Sequence, residues 1–143
     1  MSTLVILKHT TMETKMIWAN LASTNLERIR KFYNSLGFRS NDGMSNSELA
    51  SFSFANNGFI INFFIPEKVK DETNGFIGNW KDQSEVIFSL QADSKEKVNE
   101  WREKVLLAGG TIVSEPQRYG EGYTFCFADP DGHKFNVLYW PGM

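Results

Sequence analysis

The first part of the chain passes from a strand-like to a helix-like pattern of apolar residues. Residues 17–22 read as a half-buried strand. Apolar positions then recur at helical spacing over residues 26–36, and Gly37 is a natural helix stop. Thr24-Asn-Leu-Glu27 has the form of a capping box that opens this helix. The pattern predicts a strand followed by an amphipathic helix capped at Thr24.

A polar loop at residues 40–47 separates this helix from a hairpin. Residues 50–55 and 59–65 read as two strands, and Asn56-Asn-Gly58 between them tolerates the positive φ angles of a tight turn. Residues 66–84 follow without clear periodicity and are interpreted as a linker. The first half is therefore predicted to be one strand, one helix and then further strands.

The second half repeats this order of elements. Its helix has Val98, Trp101, Val105 and Ala108 on one face, which is typical of packing against a core. The predicted elements are a strand at residues 86–92, a helix capped by Asp93-Ser94 and ended by Gly109-Gly110, a strand at 111–113, a loop at 114–122 and a hairpin within 125–140.

The two hairpins align with one another residue by residue. Phe52-x-Phe-Ala55 matches Phe125-x-Phe-Ala128, and Gly58-x-x-x-Asn62 matches Gly132-x-x-x-Asn136. The simplest architecture is a duplicated βαβββ unit of the α+β class, in which two modules form a curved mixed sheet around a cleft. We expect one domain over residues 16–143, which contains module 1 (about 16–65), the linker (66–84) and module 2 (about 85–140). Residues 1–15 are interpreted as a flexible tail or an extra edge strand.

Composition and charge narrow the range of partners. The net charge of -2 comes without a basic stripe, so nucleic acid and membrane surfaces are not expected as partners. No apolar stretch has the length of a membrane span or a signal-peptide core, which favours a cytoplasmic protein. The one cysteine, Cys126, is interpreted as a small buried apolar residue, since no neighbouring basic group suggests an activated thiol.

Two motifs resemble the vicinal oxygen chelate superfamily, which includes glyoxalase I, bleomycin-resistance proteins, fosfomycin-resistance enzymes and extradiol dioxygenases. They are Asn20-Leu-x3-Asn-Leu-x5-Phe-Tyr-x2-Leu-Gly-Phe38 and Asp129-Pro-Asp-Gly-His-x-Phe-Asn136. The resemblance covers residues 16–140. It implies the duplicated βαβββ fold, often a homodimer, and a cleft in which enzymatic members hold a divalent metal.

The metal ligands of that superfamily have no equivalent in this sequence. The resemblance implies four inward-facing ligand positions, and they fall on Trp18, Asn62, Ile87 and Asn136. If the alignment of this strand with the superfamily pattern is shifted by one residue, Ile61 takes the position of Asn62. A divalent catalytic metal needs imidazole or anionic ligands, so either alignment predicts no metal and no cofactor.

The same strand faces supply the residues of a predicted ligand pocket. Amides and aromatic or aliphatic walls fit a pocket that is mostly apolar with a few polar groups. The candidate ligand-binding residues are Trp18, Asn20, Asn62, Phe64, Ile87, Asn136 and Trp140. Alternatively, Asn62 and Asn136 only hydrogen-bond neighbouring strands or buried water. His133 has the opposite strand parity to Asn136 and is expected to face away from the cleft in a structural role.

The sequence predicts a metal-free small-molecule-binding protein that resembles bleomycin-resistance proteins and binds an aromatic or planar ligand in a cleft. The alternative is a glyoxalase-like lyase, isomerase or dioxygenase with a divergent or metal-independent site. In that case Glu121, in the loop predicted at the cleft mouth, is the weak candidate for an acid–base residue.

Overall fold

A computed structural model describes residues 12–56, 58–75, 77–79, 81 and 84–142, and these residues form two consecutive βαβββ modules. Module 1 contains β1 (Trp18–Ala22), α1 (Leu26–Leu36), β2 (Arg39–Ser40), β3 (Leu49–Ser53) and β4 (Ile60–Phe64). Helix α2 (Pro66–Glu72) follows it. Module 2 contains β5 (Ile87–Gln91), α3 (Lys95–Ala108), β6 (Thr111–Tyr119), β7 (Gly122–Ala128) and β8 (Lys134–Tyr139). Residues 1–11 of the predicted tail lie outside the described residues, and residues 12–17 form no helix or strand.

Each module builds one four-stranded sheet, and the two sheets have the same topology. Their strand orders are β1-β4-β3-β2 and β5-β8-β7-β6. The first strand of each module pairs in parallel with the last, and the remaining pairs are antiparallel. The predicted duplication and the α+β class are therefore confirmed.

Both sheets bury one face in a single core. Period-two alternation in the strands directs every second side chain, such as Phe63 in β4 and Phe135 in β8, towards α1 and α3. The rings of Phe54 and Phe135 stack across the two modules with centroids 5.8 Å apart. Trp101, which the sequence places on the core face of its helix, packs against Phe38 with centroids 5.6 Å apart. The modules therefore share one interior.

Helix α1 begins one residue later than the capping box predicts. Asn25 is the N-cap, and its side-chain oxygen accepts a hydrogen bond from the backbone N–H of Arg28 at 3.0 Å. Thr24 does not cap the helix, because its hydroxyl donates to Asp131 instead. In α3 the predicted cap at Ser94 is confirmed, since Ser94 Oγ accepts from the N–H of Lys97 at 3.1 Å.

Two segments differ from the elements predicted for them. The linker begins with helix α2, which the sequence pattern does not reveal and which starts at Pro66, where a proline fits the first turn. The predicted loop at residues 114–122 is wrong, because β6 continues to Tyr119. Pro116 makes this segment resemble a loop in the sequence. The proline is tolerated because β6 is an edge strand, and the pairing with β7 shifts register on either side of Ser114. In the described part of the chain, no helix is long and apolar enough to cross a membrane.

The turn between β7 and β8 attaches module 2 to the start of α1 through Asp131. This buried carboxylate accepts hydrogen bonds from Ser23 Oγ at 2.6 Å, from Thr24 N–H at 2.9 Å and from Thr24 Oγ1 at 2.9 Å. Arg28 lies 3.5 Å from the same carboxylate. A negative charge at the first turn of a helix is also favoured by the helix dipole.

Asp129, in the same turn, makes a second connection between the modules. It accepts a hydrogen bond from Tyr33 Oη at 2.6 Å, and from the backbone N–H groups of Asp131 at 2.9 Å and His133 at 3.0 Å. Burial raises the pKa of the Asp129 carboxyl. Burial, together with the charge of Asp129, raises the pKa of Tyr33 well above its usual value. The Asp-Pro-Asp-Gly motif therefore has a structural role in this fold.

Candidate functional site

The candidate site lies on the sheet faces opposite the core, which we call the open face. Strand alternation places all seven predicted ligand-binding residues on this side: Trp18, Asn20, Asn62 and Phe64 in module 1, and Ile87, Asn136 and Trp140 in or next to the strands of module 2. Large apolar side chains remain accessible there, since Trp18 is 51% and Ile87 is 56% exposed. The open face combines aromatic surface with amides.

A row of three facing residues crosses the open face of each sheet. The rows are Asn20, Asn62 and Ser51 in module 1, and Ser89, Asn136 and Cys126 in module 2. In module 1 the Nδ2 of Asn62 donates a hydrogen bond to Oδ1 of Asn20 at 3.0 Å. In module 2 the Oδ1 of Asn136 is buried and has no hydrogen-bond partner among the described residues.

Trp140 lies against the first residues of β7. A Cβ atom on Gly122 would come within 2.6 Å of the Trp140 ring and 2.5 Å of the Tyr139 carbonyl oxygen. Only glycine therefore fits under this indole. Tyr119 packs edge-on to the same ring, with centroids 6.5 Å apart. These contacts hold an aromatic group at one end of the open face of module 2.

The donor groups of the open face do not fit the divalent metal that the superfamily resemblance implies. The four implied positions carry one indole, one aliphatic side chain and two neutral amides, at Trp18, Ile87, Asn62 and Asn136. Catalytic metal sites use imidazole or anionic ligands. Among the residues that the structure describes, no three His, Cys, Asp or Glu side chains are grouped as a metal site would require.

The structure also locates the three remaining residues that the sequence analysis considered. His133 is buried on the core side, as its strand parity predicts, with Nε2 2.7 Å from the carbonyl oxygen of Ala22. Glu121 is exposed in the tight turn between β6 and β7 and is not part of a longer loop. Cys126 is half-buried on the open face opposite Asn136, and burial raises its thiol pKa, which makes the reactive thiolate less available.

Thr124 is a site candidate that the sequence analysis missed. Its Oγ1 is the other buried side-chain atom without a hydrogen-bond partner in the described residues. Thr124 lies on β7 two residues before Cys126, so it shares the open face. The parity of β7 could have identified it, although no motif includes it.

A separate cavity of about 310 Å³ lies near the junction of the modules. Residues of β1, α2, β5, the β7–β8 turn and the start of β8 line it, including Ala22, Val69, Phe88, His133 and Lys134. Asn20 is the only one of the seven predicted residues that lines this cavity. The open-face residues are thus distributed over a broader surface than this cavity.

Comparisons with known proteins agree with the architecture. The family model of the Glyoxalase/Bleomycin resistance protein/Dioxygenase superfamily matches residues 7–137. No curated protein matches the chain significantly.

Solved structures with the same fold include a hypothetical protein from S. aureus. The two sequences are 26% identical, the alignment covers 90% of this chain and 96% of that protein, and the structures superimpose with a TM-score of 0.78. A lactoylglutathione lyase from Agrobacterium tumefaciens is 18% identical, with coverage of 90% and 95% and a TM-score of 0.67. The fosfomycin resistance protein FosX from Listeria monocytogenes is 21% identical, with coverage of 92% and 95% and a TM-score of 0.67. At these identities the last two establish similarity of fold alone.

Proposed function

The chain belongs to the glyoxalase/bleomycin resistance protein/dioxygenase superfamily, and we propose that it binds a small planar or aromatic molecule on its open face without a metal ion. The observation that supports this proposal is the composition of the open face, where exposed Trp18 and half-buried Trp140 accompany amides in place of carboxylates and imidazoles. Aromatic side chains provide contact area and stacking, and amides orient a ligand through hydrogen bonds.

Such a protein would sequester its ligand, which is the function that the sequence resemblance to bleomycin-resistance proteins implies. Binding alone requires no activated nucleophile and no Lewis acid. The half-buried Cys126, whose thiol pKa is raised, and the exposed Glu121 do not form an acid–base pair by any contact in the described structure. The competing function is a lyase, isomerase or dioxygenase with a divergent site.

The protein is further proposed to act as a homodimer in the cytoplasm. Exposed apolar residues directly precede the first strand of each module, namely Ile17 at 70% and Val86 at 55% exposure. Burial of such residues between two copies would remove apolar surface from water. Light scattering of the purified protein, which gives the mass in solution, tests the dimer directly.

A thermal-shift screen with planar aromatic compounds tests the binding function. A ligand that prefers the folded state must raise Tm in a saturable manner. We expect hits whose Tm shift is lost in Trp18→Ala and retained in Leu107→Ala, since Leu107 is an apolar residue on α3 that is 90% exposed. Hits that stabilise Trp18→Ala as much as the wild type would show that binding occurs elsewhere.

Metal analysis of untagged protein separates binding from metal-dependent catalysis. We expect far less than one equivalent of Ni, Zn, Fe or Mn after dialysis. Near-stoichiometric metal that survives dialysis would contradict the metal-free proposal and favour the enzymatic alternative.

A further inference from the structure

The row of facing residues is hydrogen-bonded in module 1 and incomplete in module 2. Asn20 supplies the oxygen that accepts from Asn62. The equivalent position in module 2 is Ser89, which has no amide, and Asn136 Oδ1 is left buried without a partner in the described structure. The two modules therefore differ at this row: the Nδ2 of Asn62 donates to a neighbouring strand in module 1, whereas in module 2 the buried Oδ1 of Asn136 has no donor among the described residues.

Thr124 Oγ1 is unpaired on the same face, one strand away. Thr124 faces Leu138 across the β7–β8 pair, and Leu138 is two residues beyond Asn136. Among the described residues, these are the two buried side-chain N or O atoms that lack a partner. Buried polar groups in folded proteins are nearly always hydrogen-bonded, so two neighbouring exceptions call for a partner from outside the chain, which is either ordered water or a ligand that displaces it.

The chemistry of the two atoms restricts what that partner can be. An amide oxygen only accepts hydrogen bonds, whereas a threonine hydroxyl both donates and accepts. A partner shared by the pair must therefore offer an N–H or O–H group to Asn136. The open-face positions of β7 and β8 contain no carboxylate, and Lys134 is their only charged residue. A cationic donor would meet no counter-charge on these strands, so a neutral donor fits best.

Access to the pair does not require the movement of a helix. Helix α3 is the helix that packs on β7 and β8 in the described structure, and it does so from the core side. A ligand on the open face therefore needs to displace only side chains. Trp140, which lies two residues beyond Leu138 on this face, provides an aromatic surface nearby.

We infer that the ligand of the open face is a neutral aromatic molecule with a hydroxyl or N–H group, which donates to Asn136 Oδ1 and bonds Thr124 Oγ1. This inference rests on the proposed function and adds the class of ligand. Asn136 and Thr124 then determine specificity, while the aromatic residues provide the contact area.

Matched aromatic probes test this inference. The pairs are p-cresol with 4-methylanisole and 2-naphthol with 2-methoxynaphthalene, in which the methyl ether removes the donor and keeps the ring. Affinities are measured from shifts of backbone amide resonances in wild type, Asn136→Leu, Thr124→Val and the control Asn34→Leu, which changes an exposed asparagine of α1 away from the open face. We expect the wild type and Asn34→Leu to bind each phenol roughly 10-fold more tightly than its ether, because the ether leaves the acceptor unpaired. Asn136→Leu should reduce this ratio to about 2-fold or less, and Thr124→Val should reduce it partly.

The outcomes separate the inference from the proposed function. Equal binding of phenols and ethers at open-face resonances would overturn the inference and leave the binding function intact. Persistence of the full ratio in Asn136→Leu would also overturn it. If none of the four probes shifts open-face resonances, the proposed function fails together with the inference.

The stability of the ligand-free protein gives a second readout. Thr124→Val is nearly isosteric and removes an unpaired buried hydroxyl, so we expect Tm to rise by about 2–4 °C. A fall in Tm of similar size would show that the hydroxyl has a partner within the protein and would contradict the inference.

Discussion

At the scale of single residues, Tyr33 of module 1 connects to module 2 through its contacts with Asp129 and Phe135. Its ring is fully buried, stacks with Phe63 at a centroid distance of 5.0 Å, and directs its hydroxyl to Asp129. Both the loss of hydration and the neighbouring carboxylate disfavour the phenolate, which is why the pKa of Tyr33 is raised. The stability of the fold should therefore depend on pH in the alkaline range.

Tyr33→Phe should reduce the loss of stability at high pH. An unfolded tyrosine loses its proton near pH 10, whereas the folded Tyr33 keeps it because its pKa is raised. Its contribution is thus complete below about pH 10 and is lost as the pH rises further, with a slope of up to ~1.4 kcal/mol per pH unit. Urea unfolding at pH 8 to 11.5 measures this slope, which should be smaller in Tyr33→Phe.

The matched control for this experiment is Tyr119→Phe. Tyr119 is 65% exposed, so its removal should leave the alkaline slope of the wild type unchanged. An equal slope in Tyr33→Phe and wild type would contradict the assignment.

The sheet face on which a residue lies could be predicted from the sequence more reliably than its hydrogen-bond partner. The parity of the strands is enough to place Asn62 and Asn136 on one side and His133 on the other. The partners of Asp129 and Asp131 could not be predicted, because Tyr33 and Ser23 lie about one hundred residues away in the chain. The hydrogen bond between Asn62 and Asn20 could not be predicted either, because a repeat pattern does not encode which side chains pair across neighbouring strands.

At the scale of elements, segments with a clear apolar periodicity and a terminal glycine were predicted well, whereas a segment that contains proline and charged residues was not. Helices α1 and α3 have periodic apolar faces and end at Gly37 and Gly109, and both were predicted within a residue. Strand β6 was predicted too short, because Pro116 and its charged neighbours resemble a loop. Its pairing with β7 across the tight turn at residues 120–121 overrides local propensity.

Gly122→Ala should disturb the contact between β7 and Trp140. The added Cβ would meet the Tyr139 carbonyl oxygen at 2.5 Å, and backbone atoms cannot move aside as a flexible side chain can. Overpacking of this kind costs about 1–3 kcal/mol. We expect this loss in the free energy of unfolding, together with an altered near-UV circular dichroism signal from Trp140.

Gly43→Ala is the control, because a Cβ at Gly43 would meet no atom within 4 Å. Its free energy of unfolding should stay within about 0.5 kcal/mol of the wild type. A similar result for Gly122→Ala would show that β7 and Trp140 can separate freely.

At the scale of the whole molecule, we expect the modules to unfold as one cooperative unit. They share a core, and Asp131 of module 2 holds the start of α1 in module 1 through three hydrogen bonds of 2.6–2.9 Å. A substitution that destabilises one module should therefore also lower the stability of the other.

Asp131→Ala should destabilise both modules together. It leaves the buried Ser23 hydroxyl and the Thr24 N–H without their acceptor, which should cost about 3 kcal/mol. Hydrogen exchange should show protection falling roughly 100-fold in the slowest amides of both sheets. Asp71→Ala, at an exposed position of α2, should leave protection unchanged. A loss confined to module 2 would contradict the single cooperative unit.

The short β2 and the irregular β6 have a consequence for behaviour at high protein concentration. These two strands form the far edges of their sheets, where unpaired main-chain groups could recruit strands from other molecules. The two residues of β2 offer too little length for such pairing, and Pro116 and the register shifts interrupt the regular ladder of β6. These two edges are therefore poor templates for aggregation at high protein concentration.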